Sequence, residues 1–458
     1  MNRGLGAVDR QKPLWRKVLG IASIALGVAV LLCVLVYLSF PTAFLQKFVE
    51  ARITKGFAAS YPGYSIRISG IRFDVMKNRI ACDSVLLARN DSSFSGSIAA
   101  VSVSGVHWLG LLRGTSVDPR SLAGSVIEAG EVDAAFQGLG YGLRCGSLRV
   151  SAPDSEIVVE ALEFHPLASD AQFFGGSKFR KTWFEMSARR CRLAGLAYVD
   201  LLQGENYHAR SLQFQDVFAD VLINKDKPSV VGSPAPRMPN EILSSVKDTV
   251  GLDSLIITDC RLRYRERFAM GVKPATLTFD RVQGLVTGVA SHADRDAGAS
   301  IHGRGTFMGG GTVNLVMSIP LTRPQFSLRY SGSLSGMDLS KLNPWIEPSD
   351  QTRIKTGVLE SAAFDINVRA GVATGTVRAV YRDLIVASIN SRTGSENALV
   401  DRFASWVAKN VKIRKANMPD RSGAMKIGTV GYARKQKDPF FGFAWFALRS
   451  GVGDLVGF

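Results

Sequence analysis

The side chains that could do chemistry are few and scattered. The five histidines (His107, His165, His208, His292 and His302) stand far apart, and no two share a metal-ligand spacing. Asp253, Asp259, Glu266 and Asp280 fall within strand and turn patterns, where each reads as a polar-face residue. There is no HExxH, no Walker loop and no GxSxG elbow. Gly138, Gly140 and Gly142 are spaced for a turn, and Leu143 stands where a dinucleotide fingerprint needs its third glycine. Distant residues can converge in a fold, but nothing here argues for an enzyme. The expectation is binding without catalysis: no enzyme, no metal, no cofactor.

Two features near the C-terminus carry more information. From Lys409 to Lys437 nine basic residues, among them Lys412, Arg414 and Lys415, face one acid, Asp420. An aromatic run follows, from Phe440 to Phe458. On a helix, Phe441, Trp445, Leu448, Val452 and Leu455 form one stripe. A basic segment leading into such a helix suits an anionic lipid surface or a partner groove, with Lys412, Arg414, Lys415, Phe441, Trp445 and Leu448 as contacts. A helix that simply caps the end of a β-sheet core explains the same stripe.

The chain that must position these residues is 458 long, 46% hydrophobic and 21% charged, which argues against wholesale disorder. Five cysteines exclude a disulfide-built scaffold. The four beyond the N-terminal region (Cys82, Cys145, Cys191 and Cys260) form no CxxC and read as buried thiols, with one disulfide of undetermined pairing as the alternative. The net charge of +17 asks for an acidic partner.

Val18 to Phe40 carries no charge over 23 residues, enough to cross a bilayer as a helix. Arg3, Arg10, Lys12, Arg16 and Lys17 precede it against Asp9 alone, which orients residues 1–17 to the cytoplasm and exports the rest. A cleaved signal peptide fits less well, because the run is long and bulky residues follow it. The implied location is the inner membrane, single-pass, with the bulk of the chain periplasmic. Nucleic acid is then not an expected partner. Of the net charge, +4 lies in the tail and +8 in residues 409–437.

Period-two patterning dominates the exported part. Phe364, Ile366 and Val368 alternate with Asp365, Asn367 and Arg369; Phe326, Leu328 and Tyr330 alternate with Ser327, Arg329 and Ser331; Leu315 and Met317 alternate with Asn314 and Ser318. These runs predict short antiparallel strands with one apolar and one polar face. Helical stretches are few, with Leu399 to Val411 and the C-terminal tail as candidates. Residues 103–122 align with 193–212 at an offset of 90, seven of twenty positions identical, including Gly105 with Gly195 and Arg-Ser-Leu at 120–122 and 210–212. The unit reads as strand, helical turn, glycine stop and next strand, and it must stack on neighbours to bury its apolar face. Four prolines between Pro228 and Pro239 mark an edge loop or hinge, or an inter-domain linker. The resulting organisation is 1–17 tail, 18–40 transmembrane helix, 41–225 first β half, 226–250 Pro-rich loop and short helix, 251–398 second β half, and 399–458 basic segment with C-terminal amphipathic helix.

The segment SGSLSGMDLSKLNPWIEP from Ser331, with IKTGVLESAAFDINV and GVATGTVRAVYRDLIV after it, resembles the C-terminal region of AsmA-like envelope proteins. DSLIITDCRLRYRE, PATLTFDRVQGLVTG and the ending GTVGYARKQKDPFFGFAWFALRSGVGDLVGF are similar in character to the flanking parts of that region. The resemblance covers most of residues 60–458 and implies a mainly β fold: an N-terminal transmembrane helix, then a long antiparallel sheet curled into a taco-like groove with a few short helices. It also implies phospholipid transport or outer-membrane assembly, with phospholipid, the inner membrane and other envelope proteins as partners. This chain is short beside many such proteins. Alternation makes Leu315, Met317, Phe326, Leu328, Tyr330, Phe364, Ile366 and Val368 the candidates for a lipid groove. The second functional expectation is a structural assembly factor that pairs sheet edges with outer-membrane proteins, without lipid transport.

Overall fold

The computed structural model describes residues 54–55, 57–59, 61–74, 78–105, 123–203, 206–230, 232, 234–269, 272–291, 298–321, 325–389 and 413–457. The expected transmembrane run Val18–Phe40, the helical candidate 399–411 and Lys412 lie outside them. Among the described residues no helix is long and apolar enough to cross a membrane. The protein is mainly β, and the described chain divides into two compact units.

The first unit holds residues up to Gly138, Ser147–Ser155 and Tyr198–Gly204. Its strands are β1 (Tyr64–Ser69), β2 (Arg72–Asp74), β3 (Arg79–Arg89), β4 (Ser95–Ser104), β5 (Val126–Ala129) and β6 (Val132–Phe136). After β7 (Tyr141–Cys145), which belongs to the second unit, β8 (Ser147–Ser151) completes it. β3 pairs with β1, β2 and β4, and β4 with β5 and β6, all antiparallel. Alternate residues Ile66, Ile68, Ile80, Cys82 and Val85 meet Phe57 and Val101 in its core.

The second unit contains β9 (Glu156–Pro166), the helix α1 (Asp170–Gly175) and β10 (Thr182–Ala194). In chain order α2 (Tyr198–Gln203), which belongs to the first unit, comes next; the second unit resumes with β11 (Asn206–Asn224), α3 (Pro239–Ser244), β12 (Thr249–Arg267) and β13 (Ala275–Ala290). The series ends with β14 (Gly298–Phe307), β15 (Gly311–Pro320), β16 (Leu328–Asp338), α4 (Asn343–Asp350), β17 (Thr352–Arg369), β18 (Val372–Ser388), β19 (Gly428–Ala433) and α5 (Phe440–Val456). From β12 to β19 each strand pairs antiparallel with the next. The β17–β18 hairpin turns on Ala370 and Gly371, both at positive φ, the two-residue geometry whose twist suits paired strands.

One pairing departs from the expected antiparallel sheet. β11 and β12 run parallel, from Asn206 opposite Thr249 to Asn224 opposite Arg267. The Pro-rich stretch is the reason: it is the crossover that returns the chain to the starting end, as a parallel pair requires. Prolines lack the N–H a ladder needs, and Pro236 instead accepts a bond from Arg434 at 2.6 Å through its carbonyl. Gly195 ends β10 at φ 70°, and Gly105 follows β4 at φ 74°, so the two aligned glycines of the repeat share a left-handed backbone. The rest of the first copy, 106–122, lies outside the described residues.

Helix α5 packs on β18 and β19 through small residues. A Cβ on Gly451 would stand 2.6 Å from methyl groups of both Val377 and Val430, and one on Gly428 would stand 2.1 Å from the Gly451 carbonyl. Gly451→Val should therefore lower stability by about 1–3 kcal/mol through overpacking. A drop in the denaturation midpoint at unchanged slope checks this, and an unchanged midpoint would refute the close approach.

Candidate functional site

Residues directly opposite in a ladder share a face, so the register traces side-chain rows across the second unit. One row runs Ile157, Leu193, Leu212, Leu255, Val286, Ile301, Met317, Tyr330 and Ile366, apolar or aromatic on every strand from β9 to β17. Nine strands at about 4.8 Å spacing make this row about 38 Å long. The next row runs Val159, Cys191, Phe214, Ile257, Gly284, Gly303, Leu315, Gly332, Phe364 and Val377. Gly332 is covered by the Phe364 ring, whereas a Cβ on Gly303 would find nothing nearer than Leu315 at 4.0 Å. Gly284 and Gly303 thus leave a low floor between Ile257 and Leu315.

A line of bulges keeps the apolar rows on one face. Ala161, Asp216, Asp259 and Arg281 all sit at φ 51–53° in the middle of β9, β11, β12 and β13. The ladder register shifts at Asp259 and Arg281, and Ile257 and Cys260, three apart, pack in the same small cluster with Phe214, Val217 and Ala188. Bulges at matched positions in neighbouring strands also bend the sheet there. Arg189 pairs with Asp216 on this line, and Arg261 with Asp280 at 3.1 Å.

The two ends of the row differ in cover. From β9 to β14 its residues are half-buried, from Ile157 to Ile301. On β15 to β17 they are sealed: Met317 and Tyr330 are 3% exposed and Ile366 is fully buried. Met238 of the crossover and Phe443 and Ala447 of α5 close over them. Phe326 meets Phe440 and Phe443 edge-on, and the Tyr330 hydroxyl donates to the Ala444 carbonyl at 2.8 Å. Burial pushes the Tyr330 phenol up, so it remains a neutral donor. At the far strand ends Trp345 of α4 packs on Tyr264, whose hydroxyl donates to buried Glu266 at 2.6 Å; Lys225 pairs with the same carboxylate.

All eight groove candidates lie in one cluster on this face: Met317, Phe326, Leu328, Tyr330, Ile366 and Val368 buried, Leu315 and Phe364 half-buried. They form its covered end. The half-covered end, at Leu212, Leu255 and Val286, escaped a reading by alternation because β10 to β13 mix parities at their bulges. The opposite face is mixed: it carries cross-strand pairs such as Arg329–Asp365 and Arg192–Glu156, with Leu285 and Val316 exposed on it.

The C-terminal stripe divides between two sides of α5. Leu455 is buried beside Phe443, Ala447 and Gly451, and Leu448 is half-buried, whereas Phe441, Trp445 and Val452 are exposed. Arg414 and Lys415 lie exposed in the segment before β19. Two side chains of α5 also occupy the outer edge of β19. The Asp454 carboxylate accepts from the Thr429 N–H at 2.7 Å and the Ser450 hydroxyl from the Gly431 N–H at 3.3 Å.

Among the described residues no three His, Cys, Asp or Glu side chains gather as a metal site. His208 pairs with Asp253 at 2.9 Å, and Asp259 belongs to the bulge line. His107 and His292 lie outside the described residues. None of Cys82, Cys145, Cys191 and Cys260 is in a disulfide, and burial pushes the Cys82 and Cys191 thiols up to about 11, away from the reactive thiolate. The geometry is that of a mainly β protein with a mixed sheet and an apolar track. No protein-family model matches the chain, and no curated protein matches it.

The Thr429 N–H, and after it Lys426, holds the Asp454 carboxyl below the usual carboxylate range. Its contribution is complete above the ordinary carboxylate range and is lost as pH falls through the lowered value. The protection factor of the Thr429 amide, relative to its intrinsic exchange rate at each pH, should fall in acid and, at neutral pH, in Asp454→Ala; equal protection in both proteins would refute the edge cap. Tyr330→Phe should cost about 0.5–1.5 kcal/mol by removing the hydrogen bond to the Ala444 carbonyl, measured as a lower denaturation midpoint.

Proposed function

We propose that this protein is a membrane-anchored, AsmA-like envelope protein that binds phospholipid acyl chains along its apolar track, as a carrier or conduit between membranes. The observation that supports this most is the unbroken apolar row, half-covered from β9 to β14 and closed from β15 to β17. Among the described residues α3, α4 and α5 pack chiefly on β13, β15 and β17 to β19, while the short α1 stacks Phe173 and Phe174 on Trp183 of β10. A one-sided apolar sheet needs cover, and acyl chains supply it at about 0.8 kcal/mol per CH₂ buried, with no catalytic group. The anchor in the inner membrane and the periplasmic location belong to the same proposal. The sheet-edge reading is less favoured: at β19 the edge N–H groups of Thr429 and Gly431 already have partners in α5.

Photo-crosslinkers at Leu212 and Leu255 should capture phospholipid, and one at Leu285, exposed on the opposite face, should not. Gly303 has no left-handed backbone to strain and room for a side chain, so Gly303→Leu should fill the track floor. Its purified form should carry less phospholipid by mass spectrometry at an unchanged thermal midpoint. Equal crosslinking from both faces, or equal lipid in Gly303→Leu, would overturn the proposal.

A further inference from the structure

Helix α5 has a second apolar side that the fold leaves open. Phe441 is 75% exposed, Trp445 43% and Val452 40%, and their spacing of four and seven places them on one side of the helix. The opposite side, through Phe443, Ala447, Gly451 and Leu455, is spent on the sheet.

The charge around this stripe is one-sided. Between Arg414 and Lys437 stand seven cations and one acid, Asp420, whose carboxylate is held in its own turn by Ser422; Lys426 and Arg434 pair with Asp454 and Glu241, and the other five make the excess. Lys435 and Lys437 are exposed directly before the helix. The neighbouring carboxylates are occupied: Asp438 is buried and accepts from the Tyr432 hydroxyl and the Lys435 N–H, Asp454 caps β19, and Asp350 pairs with Arg449. A protein groove that took the stripe would have to match this excess of cations as well. A phosphate-bearing bilayer surface matches it everywhere, and Trp and Phe seat at the headgroup boundary.

We infer that the Phe441–Trp445–Val452 face of α5 docks on an anionic membrane surface, with the basic segment before it reading the phosphates. Acyl-chain binding in the track is a separate matter on which this docking does not rest.

The test uses the full chain reconstituted in phosphatidylcholine vesicles with or without phosphatidylglycerol. Photo-crosslinkers stand at Phe441 or Trp445, with Val316, exposed on the other face of the sheet, as the control. Lipid adducts at Phe441 and Trp445 should exceed those at Val316 by on the order of tenfold, depend on phosphatidylglycerol and fall at high salt. Equal adducts at the three positions, indifference to phosphatidylglycerol, or capture of one protein in place of lipid in cells would each overturn the inference. In F441S/W445S the stripe is lost while the buried side of α5 is retained. Amide protection at Gly431 should be unchanged, and adducts from a crosslinker at Val452 should drop on the order of tenfold. Undiminished adducts at Val452 would refute the docking.

Discussion

The constraint that governs the second unit is the cover of one apolar sheet face. A strand with alternating polarity is stable in water only if its apolar side is buried. Here that side is continuous across nine strands, while among the described residues only short helices and α5 are there to lay over it. The crossover and α5 are concentrated at one end, where Met238, Phe443 and Ala447 reach complete burial. The other end relies on curvature from the bulge line and on its own side chains, which leaves it half-covered. Cover and opening are therefore two consequences of one shortage of helical surface.

Polar groups follow the same division. On the outer face most charges pair across strands in exposed positions, where each pair contributes little, whereas Asp220 is buried beneath Arg263 and Arg265. On the inner face polar atoms occur where a partner is supplied: Tyr330 with the Ala444 carbonyl, and Glu266 with Lys225 and Tyr264. The cost of an unpaired group in that environment explains why these contacts are short and local.

Much of the β architecture was legible. Alternation at 314–318, 326–331 and 364–369 placed eight side chains on one face, and the paired glycines 105 and 195 proved to share a backbone conformation. The parallel pair was not legible, because strand direction depends on where a crossover lands and not on local pattern. The bulge line was hidden because Ile257-Thr258-Asp259-Cys260 reads as broken alternation, when the extra residue is what keeps both apolar ends inward. In α5 the large aromatics drew attention to the exposed side, while the packed side is built from Ala447 and Gly451, whose small size permits close approach.

The parallel seam between β11 and β12 sets the order in which the second unit can assemble. From β12 to β18 the strands follow in sequence, and several of their turns are only a few residues long. The seam instead requires a 24-residue crossover, 225–248, to run back along the whole length of β11 before any of its ladder bonds form. Closing a long loop before it is rewarded slows a folding step. The region from β12 onward therefore folds as a local meander, and its union with β9 to β11 comes last. Until then Leu255 and Ile257 stand on an open strand edge, so the folding chain has its most adhesive moment in the interval before that seam closes.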